Sequence, residues 1–193
     1  MQLLTHFPNI HSAFPKIEVP GAFAFIEYRA YEATQHEQAA SAQHFILLIL
    51  QGQQLIEAGP GRFELNADQA IFLQKGSYRL SEAPRARGLF QSVLLFITDS
   101  FMERFAQHHA DLLPPPNRAS AAPGVRIHYC KPIAQFYYAV LPYFNTPLNE
   151  ARRRGLTLKL EELLLNLIAE EANQSFTLYL NGLMHDGERL HGH

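Results

Sequence analysis

Ten histidines in a chain of 193 residues raise the question of a metal site. A catalytic metal in a small β-barrel needs several converging ligands, usually imidazoles with a carboxylate, and one open coordination position. His44 opens the strand-like run "HFILLILQG". Ligands on one strand must be two residues apart to share a face. Ala42 and Ile46 occupy those places and neither binds metal, so we expect His44 to cap a strand end or line a pocket.

The other histidines form no better ligand set. His108 and His109 are neighbours near a predicted helix end, where side chains splay apart and a charge–dipole contact is favoured. The C-terminal "HDGERLHGH" is typical of a flexible tail that binds stray metal. The full set is His6, His11, His36, His44, His108, His109, His128, His185, His191 and His193.

Residues for other kinds of catalysis are no better placed. Cys130 is the single cysteine, with no base positioned beside it, and a lone thiol suggests a reducing cytosol. Glu161 and Glu162 belong to the exposed side of a predicted helix. "GPGR" lies between strands and opens no helix, so it is no phosphate-binding loop. We therefore expect no catalytic residue, no cofactor and no enzyme activity.

Composition limits the remaining classes. The chain is 47% hydrophobic and 18% charged with a net charge of −2, as expected for one globular domain. The longest basic block, Arg152–Arg154, is too short for a nucleic-acid-gripping surface. No secretory signal is seen, and the longest apolar stretch, Phe45–Leu50, is far below bilayer length. A cytoplasmic location without membrane contact is expected.

The first half of the chain predicts β-strands. Runs rich in aromatic and branched residues are separated by turns such as "AGPGR" and "KGS". Short strands at roughly 8–12-residue spacing favour a sandwich or barrel, and no helical pattern lies between them. The predicted strands are residues 22–31, 44–50, 53–57, 62–65, 69–74, 78–81 and 89–97.

The second half predicts helices. In "TDSFMERFAQHH", Ser100 followed by Glu103 matches a capping box, with Thr98 and Asp99 as alternative caps. Residues 112–124, "LLPPPNRASAAPG", read as a linker because three prolines stop a helix. "GVRIHYC" adds one possible short strand.

Two further helices follow the linker. "KPIAQFYYAVLPYF" has a proline suited to a first helical turn, and Pro142 predicts a kink or an early end. Residues 156–174 predict a helix with the apolar stripe Leu156, Leu160, Leu163, Leu164 and Leu167.

Leu158 and Leu165 lie on nearly the opposite side of that helix. Such a second face is buried either inside the monomer or against another subunit in a coiled-coil-like seam. We expect a homodimer interface at Leu158 and Leu165, with Glu162 beside them.

A ligand pocket is the remaining candidate site. Polar residues follow the apolar strand "IFLQ" and could meet an anionic or amphiphilic ligand. Lys75 and Ser77 suit a solvent-facing turn. Tyr78 is favoured because its ring can pack inward while its hydroxyl stays bonded. The predicted pocket residues are His44, Tyr78 and Arg79.

The order and spacing of these motifs resemble a known family. "HFILLILQGQQLIEAGPGRFELNADQAIFLQKGSYRL", followed by "LTLKLEELLLNLIAEEANQSFTLYLNGL", is similar to the N-terminal domain of AraC/XylS-type transcription regulators. The resemblance covers roughly residues 20 to 185. It implies a cupin-like double-stranded β-helix barrel followed by a helical dimerisation segment, sensing a small-molecule effector or a regulatory protein. Metal-binding cupins carry a His-x-His pair, an acid and a further histidine. Here Ile46 and Tyr78 stand near two of those places and the acid is missing, so the enzymatic site looks lost.

The resemblance also divides the chain. We expect a barrel over residues 1–111, a linker over 112–124, a helical dimerisation segment over 125–185, and a tail or the start of a further domain over 186–193. Regulators of this type end in two helix-turn-helix units, which these residues do not contain. The chain is then either an excised domain or a stand-alone protein, and it contacts DNA only through a domain elsewhere. Two alternatives remain open, a metal-dependent cupin enzyme and a regulator that acts by protein contact alone.

Overall fold

The computed structural model describes residues 14–84, 88–115 and 122–190. The strands are β1 (Lys16–Val19), β2 (Phe23–Ala30), β3 (Thr34–Ser41), β4 (His44–Gln51), β5 (Gln53–Ala58), β6 (Gly61–Asn66), β7 (Ala70–Leu73), β8 (Gly76–Ala83), β9 (Phe90–Ile97) and β10 (Gly124–Ile127). The helices are α1 (Asp99–His108), α2 (Lys131–Val140), α3 (Glu150–Ala169) and α4 (Gln174–Leu190). Within these ranges, no helix is long and apolar enough to cross a membrane.

The strands form two antiparallel sheets. One has six strands in the order β1-β2-β9-β4-β7-β10, and the other has four in the order β3-β8-β5-β6. The two sheets pack face to face around one apolar cluster, and the helices cover the opposite face of the six-stranded sheet with a second cluster. The six-stranded sheet is therefore the middle of three layers.

Strand β4 shows why the sequence builds this arrangement. Its side chains alternate between the two faces, so Phe45, Leu47 and Ile49 face the other sheet while Ile46 and Leu48 face the helices. A strand buried on both faces carries a continuous apolar run rather than an alternating one. The burial of both faces of β4 therefore explains why the run "FILLIL" is continuously apolar.

Gly52 connects β4 to β5 where a side chain has no room. Its φ is 93°, and a Cβ there would lie 2.9 Å from Ala83 O and from Phe90 Cδ2. The glycine therefore serves both the positive φ and the close approach of neighbouring strands.

The fold class predicted from the sequence is confirmed: a mainly β, cupin-like domain carries helices after its strands. The two sheets do not close into one barrel. Strand β10 pairs with β7, from Gly124 opposite Leu73 to Ile127 opposite Ala70, so the chain rejoins the sheet between α1 and α2. Residues 116–121 of the predicted linker lie outside the described residues, and the domain boundaries stay predictions.

Most predicted elements are present, with three corrections. Strands β1 and β3 were not predicted. Of the three candidate caps, Thr98 is the N-cap of α1, since its side chain accepts a hydrogen bond from Phe101 N, and the capping box predicted at Ser100 is wrong because Ser100 lies inside the helix. The predicted helix over 156–174 begins earlier, at Glu150, and ends at Ala169, where a 3₁₀ turn (Glu171–Asn173) separates it from α4.

Asn173 explains that break. Its buried side-chain oxygen accepts hydrogen bonds from His128 N at 3.0 Å and Tyr129 N at 2.9 Å. Its nitrogen donates to Tyr129 O and to Leu167 O, each at 3.2 Å. One side chain thus joins the end of β10 to the turn between α3 and α4.

The apolar stripe of α3 is confirmed. Leu156, Leu160, Leu163, Leu164 and Leu167 are all buried against the sheet and the neighbouring helices. Pro132 lies in the first turn of α2, and the helix ends before Pro142 in a 3₁₀ turn, as the sequence predicts.

Candidate functional site

A buried carboxyl group lies between the two sheets. On β8 the side chains alternate, so Tyr78, Leu80 and Glu82 all point into the space between the sheets. Glu82 is only 6% exposed. A carboxyl group is costly in such a position unless it is paired or takes up a proton.

Polar side chains from three other strands surround Glu82. Tyr28 Oη donates to Glu82 Oε2 at 3.0 Å, and Gln54 Nε2 makes a longer contact of 3.4 Å to Oε1. The backbone N of Glu82 donates to Thr34 Oγ1. Gln54 Oε1 is itself buried and has no hydrogen-bond partner. The cluster therefore has more acceptors than donors.

Burial sets the protonation of this cluster. Desolvation, with a smaller contribution from the nearby Glu37 carboxylate, raises the pKa of Glu82 to about 7, against the opposing hydrogen bonds from Tyr28 and Thr34. Desolvation also raises the pKa of Tyr28, which stays a hydrogen-bond donor. Glu82 therefore changes charge near neutral pH.

A small cavity adjoins these groups. Its volume is about 20 Å³, enough for one water-sized group. Its wall is apolar on one side and polar on the other. The lining residues are Tyr28, Glu37, Phe45, Leu47, Gln54, Leu73, Leu80, Glu82, Ser92 and Leu94. Glu37 alone among them is not buried, so the entrance lies beside it.

A second buried acid, on the other face of the six-stranded sheet, provides a contrast. Glu27 receives hydrogen bonds from Gln91 Nε2 at 2.8 Å, Tyr137 Oη at 3.1 Å and the Arg29 guanidinium. A guanidinium is the partner that a buried carboxylate normally requires. Among the residues that the structure describes, no lysine, arginine or histidine lines the cavity beside Glu82. Glu82, which lies between the two sheets, is therefore the unusual one of the two buried acids.

His44 lies on the helix side of the six-stranded sheet. Its ring stacks on Phe72, Lys75 N donates to its Nδ1 at 3.3 Å, and its Nε2 is 3.7 Å from Asp99 Oδ1. Burial lowers the pKa of His44 to about 4, with Asp99 opposing and Lys75 adding to the shift.

Tyr78 and Arg79 lie on the other sheet. Tyr78 packs edge-to-face on Phe45 and donates to Gln74 O. Arg79 is exposed and lines, with Tyr78, an open groove of about 830 Å³ on the four-stranded sheet. His44 is not part of that groove. The structure thus brings two of the three predicted pocket residues together, and their role in ligand binding stays a prediction.

Two of the three predicted dimer residues, Leu158 and Glu162, lie on the outer side of α3. Leu158 is 64% exposed, and the exposed Glu162 lines a groove of about 310 Å³ between α2 and α3. Leu165 is half-buried against the helix-side cluster.

The acidic cluster was missed from the sequence. Its one local signal is the two-residue spacing of Tyr78, Leu80 and Glu82, which places an acid on an inward-facing register. Tyr28 and Gln54 come from strands 54 and 28 residues away. Among the described residues, no group of three histidine, cysteine, aspartate or glutamate side chains is placed to hold a metal, and His191 and His193 lie outside them.

Comparison with protein families identifies the class of domain. Residues 44–179 match the ExsA N-terminal regulatory domain, which is more than half of the chain. The chain belongs to this family. It is therefore a regulatory domain of an AraC-type regulator, as the sequence motifs indicated. No curated protein sequence matches it.

Two solved structures of ToxT share the fold of this chain. ToxT from Vibrio cholerae is similar with a TM-score of 0.51 and 13% identity, over 78% of this chain and 58% of the ToxT chain. A second ToxT structure, bound to (E)-4-(8-methylnaphthalen-1-yl)but-3-enoic acid, gives the same values. This regulatory domain thus spans 58% of the length of those ToxT chains. A cupin superfamily protein from Desulfitobacterium hafniense aligns at a TM-score of 0.37 and 10% identity, over 44% of this chain and 75% of that chain.

Proposed function

We propose that this regulatory domain senses an effector between its two sheets, dimerises through α3, and so controls a DNA-binding domain elsewhere in the regulator. The main support for this proposal is Glu82, a buried carboxyl group with few hydrogen-bond donors that lies beside a cavity. Groups of this kind cost stability and are typical of functional sites. The domain has a sensing role rather than a catalytic one, and we place it in the bacterial cytosol.

Strand β2 supplies a physical connection between sensing and dimerisation. Its neighbouring residues point to opposite faces: Tyr28 contacts Glu82 in the interior, while Glu27 accepts a hydrogen bond from Tyr137 on α2. A ligand that moves Glu82 or changes its charge acts on β2 and through it on the helices. Such a switch requires that the ligand bind one arrangement more tightly than the other.

The outer side of α3 supports the dimer. Leu158 is a large, exposed apolar side chain in the middle of a 20-residue helix that packs against α2, and Tyr138 on α2 is 68% exposed. Exposed apolar surface on a regular helix face marks interaction sites. Glu162, one turn from Leu158, borders the groove between the two helices.

A small-molecule effector draws support from the ToxT structure that holds an organic acid, since the two proteins share a fold. The decisive experiment joins this domain to a helix-turn-helix domain of an AraC-type regulator and measures DNA affinity. We expect Leu158→Glu to weaken binding to a two-site operator while binding to a single site is kept. Equal loss at both operators, or no loss at either, contradicts the proposal.

A regulator that responds to a protein partner alone is the second candidate. It is favoured by the tight interior, because a cavity of about 20 Å³ admits nothing larger than a water-sized group without rearrangement. Nuclear magnetic resonance separates the two. A partner that shifts resonances of helix residues while no small molecule shifts the interior favours this candidate.

A further inference from the structure

The site beside Glu82 is built to receive hydrogen bonds. The side-chain donors of Tyr28 and Gln54 already point at the Glu82 carboxyl group, whereas Gln54 Oε1 has no donor. Gln54 is only 4% exposed, so bulk water does not satisfy that oxygen. Glu37 adds a second carboxylate at the entrance. Among the described residues, which leave out 85–87, the cluster has no donor with positive charge.

We propose that the cavity between the sheets binds the ammonium head of a small primary amine, held by Glu82 and Gln54 Oε1. This assignment deepens the proposed sensing function and rests on it. An ammonium group carries three donors and one positive charge, which matches a carboxylate, an unpaired amide oxygen and the lining Ser92 hydroxyl.

Size limits the head group. A cavity of about 20 Å³ fits one water-sized group. A primary ammonium group is of that size, whereas a guanidinium or a quaternary ammonium is larger. This volume has no room for the tail of the amine, so binding requires the apolar side chains that line the cavity to move apart and form a wall along the tail. The residues of that wall are Phe45, Leu47, Leu73, Leu80 and Leu94.

The entrance coincides with an irregular edge of the four-stranded sheet. Strand β3 is an edge strand, and its pairing with β8 is interrupted between Thr34 and Glu37. His36, inside this interruption, has a φ of 53°. Bulges at sheet edges are places where a strand bends away from its partner. The amine enters here, past a carboxylate that attracts cations and repels anions.

Neighbouring charges agree with this assignment. Around Glu82, β2 contributes Tyr28, β3 contributes Glu37 and β5 contributes the neutral Gln54. Two carboxyl groups disfavour an organic acid in this cavity. A neutral alcohol brings one donor and no charge, so it satisfies only part of the cluster.

Titration of the 193-residue chain with n-butylammonium, followed by nuclear magnetic resonance and calorimetry at about pH 8, tests the assignment. Probes of matched size are 1-butanol, butyrate and potassium chloride. We expect n-butylammonium to shift the side-chain amide of Gln54 and the backbone amides of Leu80 and Glu82. Its affinity should fall about tenfold or more in Glu82→Gln and stay unchanged in the control Glu64→Gln, a solvent-exposed acid on β6.

The outcomes separate this assignment from the wider function. Equal binding of 1-butanol, an equal effect of potassium, or unchanged affinity in Glu82→Gln overturns the amine site. Stronger binding of butyrate to the same amides also overturns it, yet leaves an effector domain in place. The operator experiment with Leu158→Glu judges dimerisation and its control of DNA binding independently of any amine.

Discussion

Tyr28 Oη donates a 3.0 Å hydrogen bond to Glu82 Oε2 across the space between the two sheets. The bond joins the middle sheet to the outer one through a carboxyl group that burial holds near its titration point. Charge-assisted hydrogen bonds of this kind are stronger than neutral ones. The protonation of Glu82 and the contact between the sheets are therefore coupled.

Replacing Tyr28 by phenylalanine tests that coupling. Tyr28→Phe removes the closest donor to Glu82, so we expect a loss of about 1–3 kcal/mol in the free energy of unfolding. The loss should be larger at about pH 8 than at about pH 5.5, because a charged carboxylate depends more on the donor. Urea unfolding at both pH values measures it.

Tyr31→Phe is the matched control, since Tyr31 is 71% exposed one residue beyond the end of β2. We expect no measurable change in the free energy of unfolding of Tyr31→Phe at either pH. A Tyr28→Phe effect that is equal at both pH values would mean that the hydroxyl only fills space.

Glu82 gives the stability of the domain a characteristic pH dependence. Burial raises its pKa from 4.5 to about 7, so between these pH values the folded chain holds more protons than the unfolded chain. The contribution of Glu82 to the free energy of unfolding is then fully present below about pH 4.5 and is lost as the pH rises through 7. The loss is on the order of 3 kcal/mol. Tyr28, Glu37 and Gln54 are the groups that face it.

Glu82→Gln removes this dependence. The variant should match the parent near pH 5 and exceed its stability near pH 8, where the parent carries a buried charge. Unfolding curves across the range measure the difference, with Glu64→Gln as the control for charge alone. A variant that is less stable than the parent at every pH contradicts the raised pKa.

The sequence predicts the strands of the layered fold better than it predicts the site around Glu82. Apolar runs such as β4 and β9 are recognisable because both of their faces are buried. Strand β3, "TQHEQAAS", carries no apolar period, and its conformation comes from pairing with β8. Glu82 lies in register with Tyr78 and Leu80, but its partners come from other strands, and only the fold brings distant residues together.

His44 titrates in the opposite sense to Glu82. Burial lowers its pKa from 6.5 to about 4, so between these values the unfolded chain binds more protons. Its contribution to stability is present above pH 6.5 and is lost as the pH falls towards 4, by an amount on the order of 3 kcal/mol. Asp99 on α1 and Lys75 in the turn before β8 face the ring.

His44→Gln should therefore gain stability relative to the parent near pH 4.5 and lose little near pH 7. In the parent, the pH dependence of stability that His44 contributes is opposite in sign to that of Glu82 where the two pH ranges overlap. A variant that lacks one of the two residues therefore shows the pH dependence of the other. Thermal unfolding at several pH values measures this, with exposed His108→Gln as control. Identical pH profiles for parent and His44→Gln would rule out a buried, neutral ring.

Asn173 should be among the residues most important for folding of the helical layer. Asn173→Ala removes the acceptor of the His128 and Tyr129 amides and the donor to the buried Leu167 carbonyl. We expect a loss of about 2–4 kcal/mol in the free energy of unfolding, because unpaired buried polar groups are costly. Asn166→Ala, an exposed position on α3, is the control. A loss below about 1 kcal/mol would mean that other groups or water replace the side chain.

The proposed dimer seam predicts that Leu158→Glu is monomeric. Leu158 is 64% exposed, so the substitution places a charge in the seam without disturbing the packing of the monomer. Leu165 is less suitable for this test, since it also packs on the helix-side cluster and its replacement unfolds as well as dissociates. Sedimentation velocity of parent and variant at matched concentration measures the effect.

Leu112→Glu provides the control, because Leu112 is 56% exposed and lies beside the C-terminal end of α3, in a groove with Ile168 and Ala169, rather than beside Leu158. It should sediment like the parent. If both variants dissociate, added charge rather than a seam is responsible. If Leu158→Glu sediments as the parent dimer, the subunits meet through another surface. The connection from Glu82 through β2 to α2 would then have to reach a dimer interface other than α3.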